Sequence, residues 1–174
     1  MDFCTFSTMH DHKKTQLGFA AVLVFLLSCR ESSQLTESQK ASVKDEVRSM
    51  LHNYSDDIRS KGMLAEFAYL DSSADFFWVP PPGFSAALSF DTVASMIKSN
   101  ALLYQSVEIS WDTVRITPLT PDLASYTSRL SSIMIANSGK VTRGSLVETG
   151  LVIRRKNGWK LLCGQTALVA TGMP

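Results

Sequence analysis

Few side chains in this sequence have the type and spacing for chemistry. Asp71 and Asp75 could work as an acid–base pair. Placed between a helix end and a strand start, they fit a turn-former and an edge residue better. Tyr54 stands in a helical run of apolar residues, where its hydroxyl either faces a pocket or serves as the polar tip of a packing ring. Glu148 is a candidate buried acid. His52 is the one histidine beyond the first thirty residues, and a metal needs several ligands, so we expect no metal site and no cofactor. No Gly-rich phosphate loop and no Ser-His-Asp set occurs. Cys163 reads as a small core hydrophobe.

The elements that position these residues fit in one domain. The chain has 174 residues, 45% of them hydrophobic, and 17 basic against 16 acidic side chains leave a net charge of +1. Such a balance offers no field for nucleic acid. Three cysteines without a Cys-x-x-Cys pair exclude a disulfide scaffold.

Leu17 to Leu27 carries no charge and no proline, but it is short of the roughly 20 apolar residues that a spanning helix needs. With Lys13 and Lys14 ahead of it, the stretch has the form of a secretory signal, and Met9 would give it a tidier start than Met1. Leu26-Leu27-Ser28-Cys29 resembles the bacterial lipobox. That resemblance implies cleavage before Cys29 and a diacylglycerol on its thiol, hence a lipoprotein held at a membrane of the bacterial cell envelope, facing periplasm or exterior. An uncleaved anchor or a simple secretory signal is the alternative. The division is then 1–28 signal peptide, 29–39 polar tether and 40–170 folded domain.

Val43, Val47, Met50, Leu51, Tyr54 and Ile58 keep helical spacing, with Ser38 or Ser42 as cap and Gly62 as stop. A second short helix over Met63 to Leu70 would turn Leu64, Phe67 and Ala68 inward. Asp75 to Val79 reads as a strand ended by Pro80-Pro81-Pro82-Gly83. Ser89 caps a third helix, roughly Phe90 to Tyr104, with Val93, Met96 and Ile97 as its apolar stripe. From Gln105 the period falls to two, with Val107, Ile109 and Trp111 on one face. Breaks at 118–122, 137–139 and 157–158 separate strands near 123–136, 140–155 and 159–169, an antiparallel meander.

Counting outward from the turns sets a register. A two-residue Ser138-Gly139 turn pairs Leu130 with Val147, Ser128 with Thr149 and Tyr126 with Leu151. A three-residue turn with Gly158 as a bulge pairs Arg155 with Trp159, Ile153 with Leu161 and Leu151 with Cys163, keeping charge off the core face. The inner face then holds Tyr126, Ser128, Leu130, Val147, Thr149, Leu151, Trp159, Leu161, Cys163 and Gln165. Glu148 falls on the outer face opposite Arg129, an ion pair rather than a buried acid. Arg154-Arg155-Lys156 is a solvated basic cluster.

Ala74-Asp75-Phe76-Phe77-Trp78-Val79-Pro80 and the terminal Asn157-Gly158-Trp159-Lys160-Leu161-Leu162 resemble motifs of the NTF2-like superfamily, in particular its SnoaL-like and DUF4440 branches. The resemblance spans about residues 40–170. It implies an α+β, cystatin-like cone, in which three helices pack in a curved antiparallel sheet around a pocket, commonly as a homodimer. The "H-x-H-x-S" strand of many relatives is absent, since Cys163-Gly164-Gln165-Thr166-Ala167 stands there. Where the ketosteroid isomerase branch has a base Asp, this chain has Pro80, and Tyr54 lies two residues from that branch's helix-one tyrosine.

The expected ligand site, for a small and largely apolar molecule, comprises Tyr54, Trp78, Trp111, Tyr126, Ser128, Thr149 and Gln165. With no catalytic set complete, binding without catalysis leads. The alternatives are a SnoaL- or isomerase-type enzyme with Tyr54 as donor and Asp71 or Asp75 as base, and an interaction module using an outer sheet face of Leu146, Val152 and Leu162.

Overall fold

Thr36, ahead of both expected serines, starts the first helix. The computed structural model describes residues 34–81 and 86–169. The signal segment, Cys29 and the start of the tether lie outside the described residues, as does the Pro82-Gly83 end of the proline run. In helix α1 (Glu37–Lys61) the Thr36 side chain accepts the Gln39 N–H while the Gln39 side chain accepts the Thr36 N–H, a closed capping box. The helix therefore begins inside the segment assigned to the tether. Gly62, at φ 86°, ends it, and all six residues of the expected stripe are buried.

The next segment departs from expectation. Met63–Ala68 is a 3₁₀ helix, whose side chains eclipse every third residue. Met63 and Glu66 accordingly share the inward side with Phe67. Leu64 is 52% exposed and Ala68 is exposed too. An α-helical period would have put Leu64 and Ala68 inside and left Glu66 out.

Strand β1 (Phe77–Val79) and helix α2 (Phe90–Ala101) follow, the latter capped by Ser89 as expected. The long strands are β2 (Tyr104–Thr120), β3 (Leu123–Ala136), β4 (Val141–Arg155) and β5 (Gly158–Leu168). Tyr104 belongs to β2 rather than to the helix. The sheet order is β1-β5-β4-β3-β2. The four long strands form the antiparallel meander, but β1 runs parallel to β5, so the sheet is mixed rather than wholly antiparallel. Bulges beside Trp111 and at Leu151–Val152 bend it. The buried stripe of α1, Leu70, Phe76 and Ile97 pack with the concave face.

The register is one residue off the count, and the consequence is large. The first turn holds three residues, Asn137-Ser138-Gly139, with Gly139 at φ 82°. Leu130 therefore pairs with Leu146, Ser128 with Glu148 and Tyr126 with Gly150. Every side chain of β4 changes face. Glu148 turns inward, Val147 and Thr149 turn outward, and Arg129 stands opposite Val147 rather than Glu148.

The second turn is Lys156-Asn157, which pairs Arg155 with Gly158 and Val152 with Leu161; the Leu151 bulge then restores the expected Leu151–Cys163 pair. Keeping charge off the core side misled here because the charge of Arg154 is paired, although its Nε is left without a hydrogen-bond partner. Its guanidinium meets Glu46 at 2.5 Å and lies 4.9 Å from the Trp159 ring, whose Nε1–H donates to the same Glu46 at 2.9 Å. Leu146 and Val152 belong to the interior, which removes two of the three residues of the expected outer apolar face.

Candidate functional site

Two glutamates, Glu148 buried and Glu66 half-buried, line the same two cavities inside the sheet. Tyr54 comes from α1 and donates its hydroxyl to Glu66 Oε1 at 3.0 Å. Tyr126 comes from β3 and donates to Glu148 Oε1 at 2.7 Å. The Trp111 ring stands between the two phenols, 6.0 Å from Tyr54 and 6.2 Å from Tyr126, edge-on to each. Glu148 is 7% exposed.

Burial governs the electrostatics. Desolvation raises the Glu66 carboxyl to about 7 against a relieving hydrogen bond from Tyr54. Desolvation likewise raises Glu148 to about 7, and the charge of Glu66 pushes it the same way. Both tyrosines are driven well above 10, by burial first and by the carboxylates second, so they remain donors. Near neutral pH the pair can therefore present one carboxylic acid and one carboxylate, the two forms that proton transfer needs.

Two cavities adjoin these carboxyls. The larger, about 230 Å³, is walled by Met63, Ile109, Trp111, Leu130, Met134 and Leu146 beside the glutamates. The smaller, about 150 Å³, is walled by Leu70, Phe76, Trp78, Val93 and Leu161. Tyr54, Glu66 and Glu148 line both. No lysine, arginine or histidine lines either among the described residues, so no cation offsets the glutamates. A larger, open groove of about 730 Å³ runs past Glu46, Tyr69, Trp159 and Lys160. Each of those four already has a partner: Glu46 with Trp159, Tyr69 with Asp57, Lys160 with the Ala68 carbonyl. Chemistry favours the smaller spaces.

The expected site residues divide. Tyr54 and Trp111 line the larger cavity, Trp78 lines the smaller, and Tyr126 holds Glu148. Ser128 is buried on the inner face across from Glu148, with its hydroxyl donating to the Arg129 carbonyl. Thr149 and Gln165 pair with one another and both are exposed; the shifted register takes them out of the interior. Asp71 is buried but engaged, accepting from Arg155 Nε at 3.0 Å, Arg155 Nη2 at 2.8 Å and Ser73 at 2.5 Å. The Arg155 guanidinium holds it below the usual carboxylate range. Asp75 is exposed, and neither aspartate lines either of these two cavities. Cys163 is buried and free.

Sequence reasoning missed Glu66 and misplaced Glu148. A three-residue period through Met63 and Glu66 would have found the first. A three-residue turn at Asn137-Ser138-Gly139 would have found the second.

No family model and no curated protein matches this sequence. Solved structures do resemble it. An NTF2-like superfamily protein from Salmonella enterica superposes with a TM-score of 0.63 at 12% identity, over 76% of this chain and 96% of its own. A candidate scytalone dehydratase from Novosphingobium aromaticivorans gives 0.66 at 11% identity, over 78% and 89%. A type 2 hexachlorocyclohexane dehydrochlorinase gives 0.59 at 10% identity, over 80% and 98%. At such identities the likeness concerns the fold, which is NTF2-like and cystatin-like, of α+β class.

Proposed function

From this NTF2-like fold we propose a pocket that binds a small, largely apolar molecule and moves a proton on it by general acid–base catalysis. The observation that carries the reading is the pair of tyrosine-bonded glutamates, one buried and one half-buried, in the wall of an apolar cavity. Glu66 is half-buried where Glu148 is 7% exposed, so Glu66 is the one that ionises first. Glu66 then takes a proton from substrate carbon while Glu148, still protonated, donates to the substrate oxygen. Substrate C–H is thereby exchanged for O–H, with no net charge created in the cavity. Tyr54 and Tyr126 hold the two carboxyls in place. Support also comes from two of the structural neighbours, named as a candidate dehydratase and a dehydrochlorinase. The SnoaL-like branch fits the same reading, with the glutamates in place of the aspartates first considered.

The test is deuterium uptake. In D₂O near pH 7, 1-phenyl-3-pentanone should gain deuterium at the carbons flanking its carbonyl at least tenfold faster with protein than without. The rate should fall to that of buffer in Glu66→Gln and in Glu148→Gln. Equal rates for the original protein and both variants would remove the catalytic claim.

Lipid anchoring at Cys29, placing the domain at the bacterial envelope, is proposed on the signal and the Leu26-Leu27-Ser28-Cys29 sequence. Intact mass should show a chain starting at Cys29 with a diacylglyceryl group, and Cys29→Ala should lose it. A homodimer is proposed on the NTF2-like resemblance.

A further inference from the structure

Resting on the pocket reading above, we propose that the two cavities are halves of one site, which takes a molecule with a polar group at mid-chain and two unequal apolar arms. Tyr54, Glu66 and Glu148 are common to both cavities, and every other residue differs. The polar side chains therefore form the waist, and the apolar walls lie to either side of it. About 230 Å³ stands on the Trp111 and Met134 side and about 150 Å³ on the Trp78 and Val93 side. Each space alone is below the roughly 300–1,000 Å³ that drug-sized ligands occupy. Beyond the waist, the larger half adds the Ser132 hydroxyl and the Trp111 indole N–H, which is buried and has no hydrogen-bond partner.

The chemistry of the waist selects the central group. A carboxylic acid both donates and accepts, so a hydroxyl or a carbonyl oxygen is satisfied there. A molecule with its polar group at one end can place that group at the waist only by leaving one half without contacts. A charged group would enter a space whose walls are apolar and whose acids are raised by burial.

Two isomeric alcohols separate the possibilities, with binding to the full-length chain followed by tryptophan fluorescence. 1-Phenyl-3-pentanol carries its hydroxyl between a long and a short arm, whereas 5-phenyl-1-pentanol carries it at the end. The mid-chain isomer should bind at least tenfold more tightly. Val93→Phe, which fills the smaller half, should remove that advantage while leaving the terminal alcohol unaffected. Val93→Leu, a smaller addition at a half-buried position, should remove part of it if the larger substitution impairs folding. Equal binding of the two isomers, or equal weakening of both by the Val93 variants, would overturn the bipartite site and leave the pocket reading standing. Binding of neither isomer would overturn both.

Discussion

Between pH 5 and pH 8 the folded protein should lose on the order of 3 kcal/mol of stability for each of the two cavity glutamates, Glu66 and Glu148. The folded state holds each proton up to about 7, while the unfolded chain releases it near the ordinary value of 4.5. Between those values the folded state binds more protons, so stability falls as pH rises and levels off above the folded value. The other shifted carboxyls, Glu37, Glu46, Asp57 and Asp71, are all lowered and act only at more acid pH, where their contribution is lost as pH falls. Denaturant unfolding at pH 5, 6, 7 and 8 measures the slope directly. Glu66→Gln and Glu148→Gln should each flatten the curve by keeping the shape of the side chain and discarding its charge. A profile that is flat or rises across this range would show that the two groups ionise as exposed carboxylates do.

Gly150→Ala should be strongly destabilising, costing about 1–3 kcal/mol or more through overpacking. A Cβ at Gly150 would come to 2.2 Å from the Cys163 carbonyl oxygen, a backbone atom that cannot swing aside, and to 3.1 Å from the Tyr126 ring. Across the strand, a Cβ at Gly164 would meet the Trp78 ring at 2.6 Å. These two glycines are register partners, and the rings of the site rest against them. Displacing Tyr126 also removes the donor that fixes Glu148, so the variant should lose the proposed proton exchange as well as stability. A Gly144→Ala control has only the flexible Ser132 hydroxyl at 3.1 Å to move and should be far milder. If thermal melts of the two alanine variants coincided, the close approach of Gly150 to the Cys163 carbonyl and the Tyr126 ring would be wrong.

Much of the fold could be read from residue pattern alone. The buried stripe of α1, the Ser89 cap and the limits of the long strands all follow from periodicity and turn chemistry, because each is a local property repeated over many residues. The site was harder to read for two local reasons. Glu66 lies in a six-residue 3₁₀ helix, and a period of three is indistinguishable from one of 3.6 over so short a run. Glu148 depended on whether one turn holds two residues or three, a choice that local composition leaves open and that reverses every side chain beyond it. The two errors concealed the same chemistry, since each moved one carboxyl of the pair to solvent. Arg154 shows why the charge rule gave no protection: at the sheet end, a paired guanidinium can lie on the inner side.

The measurement that bears most directly on the acid–base pair is a ¹³C NMR titration of the Glu66 and Glu148 side-chain carboxyl carbons. Glu66→Gln and Glu148→Gln variants would supply the assignments. Both resonances should titrate near pH 7, with Glu148 shifting to lower pH once Glu66 is replaced by glutamine, because the neighbouring charge is gone. Midpoints between about 4 and 5 for both carbons would mean ordinary solvated carboxylates, and the site would have no acid to give at neutral pH.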